Sequence, residues 1–378
     1  MTSTEYDLAL WQNTVSVHQG PLVRELGDLG FRVLVVTQTG TSAARRSMGW
    51  SDADFGDADV VTAPTPSELR EIVSGLGDTT AHVFSGLDTY PLVAAARRLV
   101  EARSHGHVFV STESFDARGA AGLARRLRYV LRSRRLQGVD TVLTIGGQAR
   151  EQFRPHLPPS VRVSEFGYFV QPRPTDTFPA PDPSGPTHVA FVGELIDLKR
   201  PLLLLESLLS LPRSSWRLSV VGDGPLRGHL SDVATRDPAA DVTLLGTLPN
   251  AAVADVLRSA DLLVLPSEYD GWGAVVSEAL SVGTPVLVSS AAGSSDLVTL
   301  PLAGQVFASR SQSDFVARLS AAVAAGPFPA ERRAKLSDWA ARTASPAAAA
   351  AYLAALLRAP ADQVLPPWRV PLDDGGAS

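Results

Sequence analysis

The strongest constraint on the fold is an alternation of short apolar runs with longer segments of helical periodicity, which occurs twice along the 378 residues. In the first half, runs rich in Val and Leu begin near residues 8, 32, 82, 107 and 141; in the second half they begin near 188, 217, 242, 262 and 286. Short continuous apolar runs are typical of strands whose two faces are covered by helices. The pattern predicts an α/β protein with two parallel, doubly wound sheets.

A proline-rich stretch, QPRPTDTFPAPDPSGP, separates the two halves from Gln171 to Pro186. Proline lacks a backbone donor and interrupts helices and central strands, so this stretch predicts a linker. We expect an N-terminal domain over residues 1–172, a linker over 173–187, a second domain over 188–345 and a C-terminal helix and tail over 346–378. Ligands of open α/β sheets bind at the carboxyl ends of the strands, and two such domains are expected to face a central cleft.

Composition excludes several classes of protein. The chain has no cysteine, which rules out disulfides and thiolate metal sites and favours the cytoplasm. Its formal net charge of -5 gives no bulk attraction for nucleic acid. No run approaches the roughly 18 apolar residues of a membrane span, and Met1–Gln12 does not resemble a cleaved signal. We therefore expect a cytoplasmic protein with no nucleic-acid partner.

The most informative segment is PSEYDGWGAVVSEALSVGTPVLVSS, from Pro266 to Ser290. It follows a strong strand pattern and passes through an acidic, glycine-containing loop into a predicted helix over Gly273–Val282. Backbone N–H groups and the helix dipole make such a helix start suitable for an anion such as a diphosphate. Asp270 and Glu278 add carboxylates that accept strong hydrogen bonds from sugar hydroxyls.

This segment resembles the E-x7-E signature of the retaining, family 4-like group 1 glycosyltransferases of the GT-B fold. Asp270 stands at the first acidic position and Glu278 at the second, and YDGWG is a variant found among members. The resemblance implies that Glu278 holds the ribose hydroxyls of a nucleotide diphosphate sugar. It also implies that the donor sugar and phosphates are contacted by Asp270, Gly271, Trp272, Gly273 and Ala274.

Three further segments are similar to the same family in the same order. FVGELIDLKRP places Lys199, one of only two lysines in the chain, at the position that clamps the donor diphosphate. Glu194 occupies the place where the family usually has Arg. VVGDGP and LLGTLPN match the loops that approach the nucleotide. The additional donor-binding residues implied are Gly193, Gly222, Asp223, Thr247 and Leu248.

The resemblance implies transfer with retention, without a protein nucleophile, a metal or any cofactor besides the donor substrate. The acceptor is predicted only by class: a glycan, a lipid-linked molecule or a natural product. In the N-terminal half, His18 follows the first strand and Glu113 follows the run HVFVS, so either could orient an acceptor or act as a base. Two alternatives share the scaffold: a sugar-nucleotide epimerase, and a protein that binds the donor without catalysis.

Two charged segments have competing interpretations. DADFGDAD, over 52–59, contains D-x-D patterns that hold a metal in another glycosyltransferase fold, but its flanks favour a solvated loop. RRLRYVLRSRR, from Arg125 to Arg135, carries six arginines and an apolar stripe that includes Leu127, Val130 and Leu131. It predicts either peripheral contact with anionic lipid or a phosphorylated acceptor, or an ordinary solvated helix face.

Overall fold

The computed structural model describes residues 5–15, 19–40, 54–103, 105–134, 136–172, 185–359 and 363–370. The chain forms two compact units. Among the described residues, unit 1 comprises those from 5 to 40, from 54 to 169 and from 346 to 370, and unit 2 comprises those from 170 to 345. The C-terminal helix therefore belongs to the same unit as the N-terminal strands, and the second unit begins just before the proline-rich stretch.

The described part of unit 1 contains seven parallel strands in the order β3-β2-β1-β4-β5-β6-β7. Their bounds are β1 (Leu8–Thr14), β2 (Val33–Thr39), β3 (Asp59–Thr62), β4 (Ala81–Ser85), β5 (Val108–Glu113), β6 (Thr141–Ile145) and β7 (Arg162–Phe166). The central strands are buried on both faces, as their continuous apolar runs predict.

The described part of unit 2 contains six parallel strands in the order β10-β9-β8-β11-β12-β13. Their bounds are β8 (Thr187–Val192), β9 (Trp216–Val221), β10 (Val242–Gly246), β11 (Leu262–Leu265), β12 (Val286–Ser289) and β13 (Gly304–Phe307). Val189 of β8 pairs with Leu262 of β11, which sets the register at the centre of the sheet.

Helices connect the strands, as parallel pairing requires. Within the described ranges, unit 1 has α1 (Gln19–Asp28), α2 (Pro66–Gly75), α3 (Pro91–Glu101), α4 (Gly119–Arg134) and α5 (Gly147–Phe153). Unit 2 has α6 (Pro201–Leu209), α7 (Arg227–Thr235), α8 (Asn250–Ser259), α9 (Ala274–Ser281), α10 (Gln312–Ala325) and α11 (Ala330–Thr343), and α12 (Pro346–Arg358) returns to unit 1. None of the helices in these ranges is long and apolar enough to cross a membrane.

Each sheet packs its own apolar core. In unit 1, Trp11 and Phe84 stack between neighbouring strands with ring centroids 5.7 Å apart, and both are fully buried. In unit 2, Phe191, Trp216 and Phe315 are likewise fully buried. The two-domain α/β prediction is confirmed, while strands β3, β7 and β13 were not predicted from the apolar runs.

Candidate functional site

The strand order of unit 2 creates a switch point between β8 and β11. The chain proceeds from β8 to β9 and β10 on one side and returns to β11, β12 and β13 on the other. In open sheets of this kind, ligands bind at the carboxyl edge beside such a switch point. Lys199 lies in the first of these loops and Asp270 in the second.

An ion pair joins the two loops across the switch point. Lys199 ends a short 3-10 turn after β8, and its Nζ lies 2.6 Å from Oδ2 of Asp270. The backbone N–H of Glu268 also donates to the carbonyl of Leu198 at 2.9 Å. The Lys199 and Asp270 side chains remain 21% and 16% exposed, so an incoming ligand can reach both. The structure thus brings together the predicted cation and the predicted first carboxylate.

Helix α9 begins directly behind this ion pair. Gly273 is its N-cap, with a φ of 87°, and offers no side-chain acceptor to the first turn. The conformation favours glycine, and a Cβ at Gly273 would in addition displace the Leu265 side chain, whose Cδ2 would lie 2.7 Å away. The helix starts at Ala274, one residue later than predicted, and its positive dipole end is available to an anion.

The loop before α9 is held in place by the segment after β12. The N–H of Asp270 donates to Ala291 at 3.0 Å, and the N–H of Ser294 donates to the carbonyl of Trp272 at 2.8 Å. Trp272 as a whole is only 3% exposed, and its indole N–H donates to Oγ of Ser277 at 3.2 Å. Trp272 therefore anchors the loop through both its ring and its carbonyl.

The glycines of VVGDGP bring the loops after β8, β9 and β10 into contact. A Cβ at Gly222, whose φ is 130°, would lie 1.9 Å from the carbonyl oxygen of Gly193. The N–H of Gly222 donates to the carbonyl of Gly246 at 2.8 Å. Asp223 uses Oδ1 to accept the N–H of Gly224 at 2.7 Å, which fixes the turn. Three predicted loops are thereby joined at one edge of the sheet.

The remaining predicted residues of unit 2 surround this edge. Thr247 is exposed directly after β10, and Leu248 is half-buried beside it. Glu278 is half-buried in the second turn of α9, and its carbonyl accepts a hydrogen bond from Oγ of Ser281. The loop glycine Gly271 is also half-buried.

The family's usual arginine at position 194 is Glu194 here, and the neighbouring Arg200 does not replace its charge directly. Glu194 is exposed, and Arg200 donates through Nη2 to Glu268 at 2.6 Å and through Nη1 to the carbonyl of Ser309 at 2.9 Å. Arg200 is in the left-handed conformation, with a φ of 53°, where it caps α6. Its described contacts therefore hold two loops together.

Arg227 is a candidate that the motifs did not identify. It opens α7 immediately after VVGDGP, and its Nη1 atom is buried with no hydrogen-bond partner in the described part of the chain. The same atom lies 3.5 Å from the position of a Cβ on Gly246, next to Thr247. The sequence signal that could have identified Arg227 is its position in the first turn of a helix that follows a glycine loop at the carboxyl edge.

The candidates in unit 1 are less constrained. Glu113 ends β5, is exposed, and accepts a hydrogen bond from the hydroxyl of Tyr168. His18 lies outside the described residues. Of the acidic 52–59 segment, Gly56 and Asp57 form a turn and Asp59 begins β3, where it accepts a hydrogen bond from the Tyr6 hydroxyl at 2.6 Å. In the described ranges, no cluster of three His, Asp or Glu side chains is arranged to hold a metal.

Comparison with known proteins locates the strongest similarity in unit 2. Residues 172–342 match the family described as glycosyl transferases group 1. The glycogen synthase of Mycobacterium tuberculosis is 32% identical over 189 residues, which cover 46% of this chain and 44% of that protein. The chain thus matches less than half the length of this curated relative.

Two longer similarities include both units. The D-inositol 3-phosphate glycosyltransferase of Gordonia bronchialis is 27% identical over 375 residues, covering 82% of this chain and 80% of that protein. The crystal structure of Anabaena HepE in complex with UDP superposes with a TM-score of 0.65 at 15% identity, covering 93% of this chain and 99% of that one. The structural likeness establishes the fold, two Rossmann-like domains of the GT-B type.

Proposed function

We propose that this protein is a retaining glycosyltransferase with a nucleotide diphosphate sugar as its donor. The premise is that residues 172–342 match the glycosyl transferases group 1 family. The observation that carries the proposal is the Lys199–Asp270 ion pair at the switch point of unit 2, beside the start of α9. A cation and a helix N-terminus are the two features that a diphosphate requires.

Lys199 and the N-terminus of α9 have their main effect on the leaving group. When the acceptor oxygen bonds to the anomeric carbon, the bond from that carbon to the diphosphate breaks and its electron pair stays on the diphosphate. Preorganised positive charge stabilises this developing charge more than it stabilises the ground state. A phosphate oxygen takes the acceptor proton, and the new bond forms on the face that the diphosphate leaves, so no protein nucleophile or metal is needed.

Asp270 has two roles in this proposal. In the free protein it holds the ammonium of Lys199 at 2.6 Å, and when donor binds it accepts hydrogen bonds from the donor sugar. Glu278 accepts hydrogen bonds from the ribose hydroxyls. The backbone amides of Gly271 to Ala274 contact the sugar and phosphates, and Thr247 and Leu248 contact the base.

Arg227 is proposed as a further nucleotide contact. A buried guanidinium nitrogen without an acceptor is costly, and a ligand oxygen placed beside Gly246 would satisfy it. Uracil offers carbonyl oxygens for this purpose, and the similar Anabaena structure has UDP bound. We therefore propose a uridine diphosphate donor, with a glycan, lipid-linked or natural-product acceptor.

Thermal stabilisation by UDP-, GDP-, ADP- and TDP-sugars tests the donor site. A donor at 100 times its Kd stabilises the folded protein by about 2.7 kcal/mol, which is a clear rise in Tm. We expect a UDP-sugar to stabilise the wild type, with the effect lost in Glu278→Gln and reduced in Arg227→Gln. Stabilisation by every nucleotide, or an unchanged response in Glu278→Gln, would contradict the assigned site.

Product analysis then separates transfer from the two alternatives. A retaining transferase gives a glycoside with the anomeric configuration of the donor, only when an acceptor is present, and it remains active in EDTA. An epimerase would convert the donor sugar with no acceptor. A protein that only binds the donor would give neither transfer nor slow donor hydrolysis.

A further inference from the structure

Helix α4 of unit 1 is anchored to the domain along one face only. A Cβ at Gly122 would lie 2.2 Å from the carbonyl carbon of Ala117, which shows how closely this side of the helix approaches the preceding loop. Tyr129 stacks on Phe115 with ring centroids 4.9 Å apart and meets Phe153 edge-on at 5.6 Å. These contacts fix the rotation of α4 about its axis.

The opposite face of α4 carries a row of exposed leucines. Leu123, Leu127 and Leu131 are 67%, 61% and 47% exposed. Their spacing of four residues aligns them along one side of the helix. Single exposed apolar residues are common, but a continuous apolar row on a helix marks a surface that is covered in use. We call these three residues the leucine row.

Arginines flank the leucine row on both sides. At about 100° per residue, Arg126 lies on one side of the row and Arg128 on the other. Both are exposed, and neither makes an ion pair within the described residues. Seven arginines and no acidic residue occur from Ala117 to Val139, although the chain as a whole has a net charge of -5. The positive charge is therefore concentrated around the leucine row.

We propose that the outer face of α4 lies on an anionic lipid bilayer, with the leucine row in the acyl-chain boundary and the arginines at the phosphates. An apolar stripe with basic flanks is the pattern of a helix that lies in the membrane plane. The helix is about 24 Å long and would rest on the surface rather than span it. The Arg126 and Arg128 guanidiniums match the negative headgroups.

The positive charge around the leucine row argues against a second copy of the chain as the partner that covers this face. In a symmetric dimer the same patch meets itself, so a contact through the leucine row would bring arginines against arginines. Like charges at an interface oppose association. The acid-free stretch from Ala117 to Val139 offers no compensating carboxylate.

Co-sedimentation with vesicles tests the proposal and needs no catalytic activity. The full chain is mixed with phosphatidylcholine vesicles and with vesicles of phosphatidylcholine and phosphatidylglycerol in a 7:3 ratio. We expect binding to the anionic vesicles, little binding to the neutral ones, and a fall of 10-fold or more in the partition coefficient between 0.05 and 0.5 M NaCl. Equal binding to both vesicle types, or none to either, would overturn the proposal.

Matched variants separate the leucines from the arginines. The triple change Leu123→Ser, Leu127→Ser and Leu131→Ser is expected to lower the partition coefficient at least 100-fold, because it removes the inserted apolar surface. Arg126→Gln with Arg128→Gln is expected to lower it about 25-fold, at about fivefold per arginine. The control is Arg70→Gln with Arg98→Gln, which removes the same charge from exposed positions on α2 and α3.

The substituted side chains are exposed, so each variant is expected to keep the wild-type circular dichroism and Tm. If the Arg70/Arg98 control lost as much binding as the Arg126/Arg128 variant, the effect would come from net charge alone, and the assignment of the α4 face would be overturned. A concentration-dependent dimer of the wild type that the triple leucine variant abolishes would assign the face to a second copy and overturn the lipid proposal.

Discussion

The two units have the same kind of sheet but differ in whether their closest backbone contacts coincide with a positive φ. In unit 2, Gly222 and Gly304, with φ of 130° and 122°, would each place a Cβ 1.9 Å from a neighbouring carbonyl oxygen, Gly222 at the carboxyl edge and Gly304 at the start of β13. In the described part of unit 1, Gly106 and Gly122 would place a Cβ 2.3 Å and 2.4 Å from the carbonyl oxygens of Thr79 and Ala117, but without a positive φ. At Gly222, both the conformation and the space therefore exclude other residues.

This difference explains why the motifs are concentrated in unit 2. A loop that must bring two backbones together at a positive φ requires glycine at fixed positions, so it leaves a pattern in the sequence. At the described carboxyl edge of unit 1, Gly86 also has a positive φ, but its Cβ would meet only side chains at 3.4 Å or more, and Gln19 donates to Gln12 at 2.7 Å. Many side chains can serve such contacts, and the matched family region correspondingly covers residues 172–342.

Replacing one glycine in each unit by alanine should give the largest difference in the free energy of unfolding, with effects of opposite sign. Gly222→Ala is expected to lower the free energy of unfolding of unit 2 by about 4 kcal/mol, because the Cβ would lie 1.9 Å from the Gly193 carbonyl at a φ of 130°. Gly27→Ala in α1, with nothing within 4 Å of the new Cβ, is expected to stabilise unit 1 by about 0.5 kcal/mol. Urea titrations followed by tryptophan fluorescence measure both, and similar small shifts in the two variants would contradict the contrast.

The two lysines give a matched pair for the chemistry of unit 2. Lys199→Ala is expected to lower kcat by about 10² to 10³-fold, about 3–4 kcal/mol, because the departing diphosphate loses a preorganised cation. Lys335→Ala, which removes an exposed partner of Glu331 on α11, is expected to leave kcat unchanged. Initial rates at saturating donor measure the ratio. Wild-type turnover in Lys199→Ala would remove Lys199 from the proposed mechanism.

The described part of each unit contains one buried arginine, and the two differ in their nearest acceptors. Arg333 donates to the carbonyls of Ala260 and Arg258 and to Oγ1 of Thr284, with Oδ1 of Asp261 farther away at 3.8 Å. Arg97 instead pairs with Asp88 at 2.8 Å and with Glu101.

Arg333→Met is expected to cost about 3 kcal/mol of unfolding free energy, because it leaves buried acceptors unsatisfied. Arg97→Met is expected to cost about 1 kcal/mol, because the carboxylates it leaves are 27% and 23% exposed and can hydrate. Denaturant midpoints of the two variants give the comparison, and a larger loss in Arg97→Met would reverse it.

The sequence predicted the central strands and missed three strands at sheet edges. Strands β3, β7 and β13 each end a sheet, where one side has no neighbouring strand and the burial pattern is broken. Their residues need not all be apolar, so no continuous run marked them. The predictions were accurate where burial on both faces constrained composition, and also at the edge strand β10, whose run contains Val242, Leu244 and Leu245.

The candidate site divides in a similar way. The resemblance to the family's motifs indicated Lys199 and Asp270, and the structure joins them across a separation of 71 residues because β8 and β11 are neighbours. Spacing could not show that the Trp272 ring is buried against Ser277 or that Arg227 leaves a nitrogen unpaired, because both depend on packing between elements. The exposed leucine row on α4 was predicted only in part, since exposure depends on what the rest of unit 1 covers.

The smallest expected effect concerns a buried histidine in each unit. Burial lowers the pKa of His82 to about 3, and its Nδ1 must accept, because the Trp11 indole that lies 3.2 Å away can only donate. Burial also lowers the pKa of His188, but its Nδ1 faces the Ser259 carbonyl at 2.9 Å and its Nε2 faces the Ser219 hydroxyl at 2.8 Å. Those two acceptors, together with the charges of Asp261 and Asp241, favour a protonated ring, whereas Arg217, 3.4 Å from Nδ1, opposes it. Unit 2 is therefore expected to be less sensitive to acid than unit 1.

The sign of the effect follows from proton binding. An unfolded histidine titrates near 6.5 and folded His82 near 3, so the unfolded chain binds the proton more tightly between these values. The stability that His82 contributes is therefore present above pH 6.5, falls as the pH drops below it, and stops falling near pH 3. From pH 6.5 to 5.5, above the range in which ordinary carboxyls titrate, unit 1 is expected to lose about 1 kcal/mol.

Urea titrations of the wild type and His82→Gln across this interval test the prediction, since Gln offers Trp11 an acceptor that does not titrate. The variant is expected to reduce the pH dependence of unit 1, where burial also lowers the pKa of His107, and to leave that of unit 2 unchanged. An undiminished slope in His82→Gln would show that another group carries the titration. A slope as steep in unit 2 as in unit 1 would mean that the Ser259 carbonyl does not ease protonation of His188.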